Sequence, residues 1–373
     1  MRLALVSAYW QYPEVAYGSF LPLAKAGHDV NAIVWKQEVK NTVKLKVASG
    51  LTVFQTPGFN LLAALNSQEK YPFMFNLSEI LSEIKPDIVD CQSHLFLTSF
   101  QAARFARRVH VPSVVTVHGT LAKRRLPINI AKRIHNNTFG SYIFKKSTLV
   151  RCLTKNDAEE IQEYGCPSNK IRIIPNAVDT NFFKPQAIRQ PNSIIWVGRF
   201  VPEKNLDTIV KATRIVARKS KDVEVCMVGD GPLRSNTIQL VHSYNLTNLF
   251  SFTGTLGSSQ VAEKLGKASI FILPSLKEGM PFSLLEAMAS GLAVVGSNIS
   301  GINDVVVHGK NGLLVPSSSP EALAEAILTL LKDSNLRRRL GENARNYVVE
   351  RHSWATQLPK IERFYDEALE KRV

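Results

Sequence analysis

The chain has 373 residues, 45% hydrophobic and 21% charged, the balance of a soluble globular protein too long for one ordinary core, so two domains are expected. No apolar run reaches the ~18–20 residues of a membrane span, and four scattered cysteines without a CxxC exclude a disulfide framework and a zinc site. A net charge of +15 points instead to an anionic partner: nucleic acid, a membrane surface or a phosphorylated substrate.

The opening MRLALVSA (1–8) is apolar but short and runs into YWQYPE, so it reads as a first strand and not as a signal peptide, which makes the cytosol the expected compartment. Further β-rich apolar runs follow at 30–35, 51–55, 88–91, 113–118, 148–153 and 170–174, with helical periodicity over 75–84 and 99–108. After PNAVD (175–179) the pattern restarts. Strands are expected at 194–198, 223–229, 250–253, 270–274 and 293–296, with helices at 206–219, 233–242, 260–267 and 284–290 between them. Near-continuous apolar strands alternating with helices mean parallel sheets covered on both faces. Two such series give an α/β protein of two doubly wound domains, and 320–373 reads as consecutive helices.

In doubly wound sheets ligands bind beyond the carboxyl ends of strands. The polar residues of interest stand there: His118 ends VVTVHG, Arg199 follows IIWVG, Asp230 follows MVG, and Glu278 comes soon after IFILP. A cleft between two domains would gather them. In KEGMPFSLLEAMASG (277–291), Ser283 and Glu286 fit the S-x-x-E capping box, with Gly291 as the glycine that ends the helix. The other reading makes Glu286 a ligand-binding carboxylate.

Five segments together resemble glycosyltransferase family 4, the retaining nucleotide-sugar enzymes of the GT-B fold: IPNAVDTNFFKP (173–185), VGRFVPEKNLDTIVKA (197–212), MVGDGPLR (227–234), FTGTL (252–256) and PSLKEGMPFSLLEAMASGLAVVGSNISGINDVV (274–306). Glu278 and Glu286 then form the family's E-x7-E pair. The resemblance implies two Rossmann-like domains facing across a cleft, with 1–175 binding the acceptor, 176–353 binding the donor, and a last helix in 354–373 crossing back to the first domain. It assigns Arg199 and Lys204 to the donor diphosphate. Phe282 and Ser283 would contribute backbone amides beside Gly279, Glu286 would hold the ribose, and Glu278 and His118 would face the transferred sugar. The chemistry agrees, because a departing diphosphate needs cationic stabilisation. The sequence has no D-x-D for a metal, so no metal and no cofactor beyond the nucleotide-sugar co-substrate are expected. Where the family's first loop carries a Gly-Gly pair, this chain has only Gly18, the matching donor contact. The rival readings are a catalytically silent nucleotide-sugar or polyanion binder and an epimerase on the same fold.

Residues 91–156 contain no Asp or Glu but include Arg104, Arg107, Arg108, Lys123, Arg124, Arg125, Lys132, Arg133, Lys145 and Lys146. Ile134, Phe139, Tyr142 and Ile143 lie near helical spacing among these charges, as in a helix lying on an anionic membrane. The expected acceptor is accordingly a glycan or lipid-linked molecule at the inner membrane face. No nucleic-acid motif accompanies the basic run.

Overall fold

The computed structural model describes residues 1–8, 20–61, 71–119 and 133–371. Among these, no helix is long and apolar enough to cross a membrane. The chain divides into two compact units, one of Met1–Pro175 with the residues from Gln357 onward, the other Asn176–Thr356.

The first unit is built on a sheet of eight strands. Its strands are β1 (Arg2–Ser7), β2 (Asp29–Trp35), β3 (Val43–Ala48), β4 (Leu51–Thr56), β7 (Ile88–Gln92), β8 (Ser113–Val117), β9 (Leu149–Cys152) and β10 (Ile171–Ile173), in the order β10-β9-β8-β7-β1-β2-β4-β3. All neighbours are parallel except β3 with β4. The central strands are buried on both faces, as their unbroken Val, Ile and Leu content requires. β3 was not visible as an apolar run because it is an exposed edge strand whose lysines, Lys44 and Lys46, guard its open hydrogen-bonding side. A two-stranded ribbon, β5 (Gly58–Asn60) with β6 (Pro72–Met74), was equally unmarked in the pattern.

The second unit has six parallel strands: β11 (Ser193–Val197), β12 (Glu224–Val228), β13 (Phe250–Gly254), β14 (Ile270–Leu273), β15 (Ala293–Ser297) and β16 (Leu313–Val315), ordered β13-β12-β11-β14-β15-β16. Trp196, Phe200 and Phe271 are its largest fully buried side chains, each contributing about 1.5–3 kcal/mol through burial.

The last helix, Trp354–Glu370, is amphipathic and lays Ile361, Phe364, Tyr365 and Ala368 into the core. It is tied to the first unit by His28 to Glu362 at 3.1 Å, Arg172 to Glu367, and the Tyr365 hydroxyl donating to Asp90 at 2.8 Å.

Candidate active site

In the second unit the functional candidates sit on loops that leave the carboxyl ends of β11 and β14. Arg199 follows β11 and is exposed. Its loop is held by backbone: Phe200 N–H donates to the Asp230 carbonyl at 2.9 Å, and Gly198 N–H to that of Val228 at 3.0 Å. Gly229 is obligatory there. Its φ is +127°, and an added Cβ would lie 1.9 Å from the Gly198 carbonyl oxygen. Asp230 itself only closes this turn, accepting from the Gly231 N–H at 2.7 Å.

Lys204 ends a short 3-10 turn, Pro202–Lys204, and its Nζ meets the Glu278 carboxylate at 2.6 Å, with both side chains mostly buried. Two contacts bring the loops together: Leu276 N–H donates to the Glu203 carbonyl at 2.8 Å, and the Asn205 side-chain amide to that of Pro274 at 3.2 Å. Behind Glu278, Gly301 at φ +86° lets another loop press on the turn, where a Cβ would be 2.2 Å from the Gly279 carbonyl oxygen. Asn176 fixes the far side of the turn by donating from its amide to the Met280 carbonyl at 2.9 Å. Asn176, Gly229 and Gly301 lay inside the recognised segments, but nothing in their spacing told that their job is to place Arg199 and Glu278.

The Glu278 turn feeds directly into the helix Phe282–Ala289, whose N-cap is Pro281 and which has no side-chain cap hydrogen bond. The capping-box reading is therefore corrected. The helix starts two residues earlier than the periodicity indicated, so Ser283 lies inside the first turn and cannot cap it. The backbone N–H groups at Phe282 and Ser283 lack intrahelical acceptors, at the positive end of the helix dipole. Glu286, one turn on, has no hydrogen bond or ion pair for its carboxylate among the described residues. Burial alone pushes its pKa up to about 7.

His118 stands in the first unit, just beyond β8. Its Nε2–H donates to the Gln92 side-chain oxygen at 2.7 Å. The residue keeps an exposed edge, yet the protein packed round the ring and, secondarily, the Arg151 charge push its pKa down to about 4, so the ring is neutral near pH 7. Beneath it lies a buried network that sequence spacing did not reveal. Asp90 accepts from Tyr365 at 2.8 Å and Thr116 at 3.2 Å, while Arg151 donates to the Ile174 and Pro175 carbonyls at 2.9 and 2.8 Å. Burial raises the Asp90 pKa to about 6 against the opposing pull of these donors.

Gly18 lies outside the described residues, as do Lys123, Arg124, Arg125 and Lys132 of the basic stretch. The part of that stretch that is described contains a π-helical turn, Asn136–Gly140, before the helix Ser141–Lys146. This shift of register corrects the expected face: Ile134 and Phe139 are exposed, but Ile143 is fully buried.

A family model described as glycosyl transferases group 1 matches residues 178–347, and one described as glycosyltransferase family 4 matches 22–182. The glycogen synthase of Mycobacterium tuberculosis is 25% identical, over 95% of this chain and 92% of its own. Among solved structures, the sucrose-phosphate synthase of Thermosynechococcus elongatus superposes with a TM-score of 0.80 at 19% identity, over 99% of both chains. HepE of Anabaena, solved in complex with UDP-glucose, gives 0.77 at 16% identity, over 98% of this chain and 99% of that one. These neighbours share the GT-B fold, as the two Rossmann-like units do.

Proposed function

Starting from a chain that belongs to the glycosyl transferases of group 1, family 4, we propose that this glycosyltransferase takes a sugar from a nucleotide diphosphate donor and passes it on with retention, without a metal. The observation that carries this reading is the joining of Lys204 to Glu278 at 2.6 Å, immediately before the uncapped start of Phe282–Ala289. That arrangement, with Arg199 and Glu286, offers the cations, N–H donors and acceptors a nucleotide sugar needs. The helix start offers N–H groups and a dipole to the diphosphate. Lys204 has three N–H donors and gives one to Glu278, so others remain for phosphate oxygens. Arg199 adds a planar fork for the charge that grows on the leaving group. Glu278, fixed by Lys204, supplies acceptors to the sugar hydroxyls, and Glu286 supplies acceptors to the ribose diol. Retention follows if the acceptor attacks on the face the diphosphate leaves, a leaving-group oxygen receiving its proton.

The acceptor half of the proposal is a glycan or lipid-linked molecule at an anionic membrane surface. Beside the basic stretch, the β5–β6 ribbon displays Phe59, Phe73 and Phe75, with ring centroids 5.5–6.4 Å apart. Phe59 and Phe75 are 44% and 57% exposed. The ribbon joins the basic segment through Tyr71, which hydrogen-bonds His135 next to the exposed Ile134. Exposed aromatic rings on the same unit as the exposed Arg133, Lys145 and Lys146 suit a lipid interface.

The test is incubation with radiolabelled UDP- and GDP-sugars, with and without a lipid extract, in the presence of EDTA. Label moving to an acceptor with its anomeric configuration kept supports the reading. Binding without transfer would indicate a silent binder, and an isomerised free sugar an epimerase.

A further inference from the structure

The second unit also contains a pocket of about 510 Å³ that none of the candidate donor-site residues lines. Four arginines form its wall, Arg189, Arg337, Arg338 and Arg345, with Glu342 the single carboxylate. The last three arginines and Glu342 come from the helix Ser334–His352, where Arg338, Glu342 and Arg345 follow at four- and three-residue steps along one face with Arg337 beside them. Arg189 reaches in from the segment before β11.

These guanidinium groups are anchored. Arg189 donates to the Gly291 and Ser290 carbonyls at 2.8 and 2.7 Å. Arg345 donates to the Ala289 and Thr180 carbonyls, and Arg337 to that of Leu330. Most of these carbonyls end the helices Phe282–Ala289 and Pro320–Lys332, so the arginines cap helix C-termini. A carbonyl satisfies an N–H without cancelling a formal charge. The one carboxylate of the lining, Glu342, is engaged by Arg338 at 3.2 Å, and the Asp333 charge acts on Arg337 from outside the lining, so cations still outnumber anions around the cavity. Burial and, after it, the charge of Arg337 hold Arg189 below its usual pKa, as expected for two cations facing each other. Each guanidinium has five N–H groups, and none of the four arginines spends them all on the described residues.

We propose that this pocket binds a phosphomonoester of a small molecule, at a site separate from the one that grips the donor diphosphate. Forks held by carbonyls need no reordering to meet a phosphate, which limits the entropic cost of binding. The volume falls in the range of about 300–1,000 Å³ typical of small-molecule sites, more than a bare phosphate fills. Pro185 and Pro191 give the remainder an apolar wall suited to the body of a sugar phosphate.

Calorimetric titration with inorganic phosphate and with a hexose 6-phosphate tests this. Arg338 is exposed and, among the described residues, bonded only to Glu342, so Arg338→Glu leaves the helix caps intact. Saturable binding of both probes is expected, tighter for the sugar phosphate, weakened at least about tenfold by Arg338→Glu and unchanged by Arg199→Ala. Glu342→Gln, which removes the one carboxylate of the lining, should tighten it. The proposal is overturned if neither probe binds saturably, or if Arg199→Ala abolishes binding while Arg338→Glu spares it, which would locate the phosphate at the donor site.

Discussion

The two units share one plan and use their polar groups in opposite ways. In the second, the candidate site side chains stand on strand-end loops held in place by close backbone contacts and one side-chain amide: Gly229 behind Arg199, Gly301 and Asn176 behind Glu278. In the first, polar side chains lie under the strand ends and hold one another, Asp90 with Tyr365 and Thr116, and Gln92 with His118. A loop supported by backbone is set by local chain geometry. A network of side chains depends on partners that arrive from anywhere in the chain.

The largest expected effect comes from removing a charge the second unit has so firmly placed. Arg199→Ala should lower turnover by about 10²-fold or more, since a lost transition-state charge partner costs about that much. Thermal stability should fall far less than turnover, because the side chain is exposed and its loop is fixed through backbone. Initial rates and a melting curve on the same sample decide it. Strict dependence of the wild type on added Mg²⁺ or Mn²⁺ would remove Arg199 and Lys204 from their proposed role.

In the first unit the same kind of change should act on folding. Tyr365→Phe takes a hydrogen bond from a buried carboxylate, a loss of about 1.5–3 kcal/mol near neutral pH. The sign follows from the raised Asp90 pKa of about 6. Its burial penalises the ionised form, so stability falls as pH rises from the unfolded carboxylate range through 6, and without Tyr365 that penalty grows. Denaturant titrations should therefore find the variant's deficit larger at pH 8 than at pH 5. A deficit equal at both values would disconnect Tyr365 from the charge on Asp90.

This contrast also explains what could be read from the chain. The Glu278–Glu286 spacing, Lys204 five residues after Arg199 and the alternating apolar runs are short-range patterns, and local geometry turns them directly into loops at strand ends. Asp90 and Tyr365 are 275 residues apart, and neither stands in a motif, so only the folded chain brings them together. β3 and the β5–β6 ribbon escaped notice because an exposed edge and a three-residue strand have no apolar run to show. The capping box misled for a different reason: the helix begins directly after Pro281, two residues before the apolar periodicity shows it, which puts Ser283 inside the first turn.

A smaller effect is expected at the surface of the first unit. Each lysine near anionic lipid contributes about 1 kcal/mol. Lys145→Ser with Lys146→Ser should therefore weaken cosedimentation with phosphatidylglycerol vesicles by roughly 10–30-fold at low salt. High salt should weaken the wild type as well. Phe75→Ser, removing the most exposed ring of the ribbon, should add to the loss at both salt concentrations. Binding that ignores both salt and these changes would leave a soluble acceptor.

The finest test of the comparison is Glu286, the carboxylate of the second unit's candidate site that has no partner among the described residues. If it serves only the fold, Glu286→Gln should destabilise. The uncapped helix start argues otherwise. With its pKa pushed up to about 7 by burial, the carboxylate costs stability as pH rises from the unfolded carboxylate range through 7. Glutamine carries no such penalty, so the variant should match the wild type at pH 5 and melt slightly higher at pH 8. Donor binding should run the other way. Ribose hydroxyls donate to a carboxylate and favour its charged form, so wild-type affinity for a nucleotide sugar should rise from pH 6 to 8. The diphosphate of a nucleotide sugar is a diester that stays ionised over this range, which leaves the wild-type-minus-Gln difference to report Glu286 itself. If the variant melts lower at every pH while its affinity is unchanged, Glu286 belongs to the helix and not to the ribose, and the second unit would then hold one polar group for folding, as the first unit holds many.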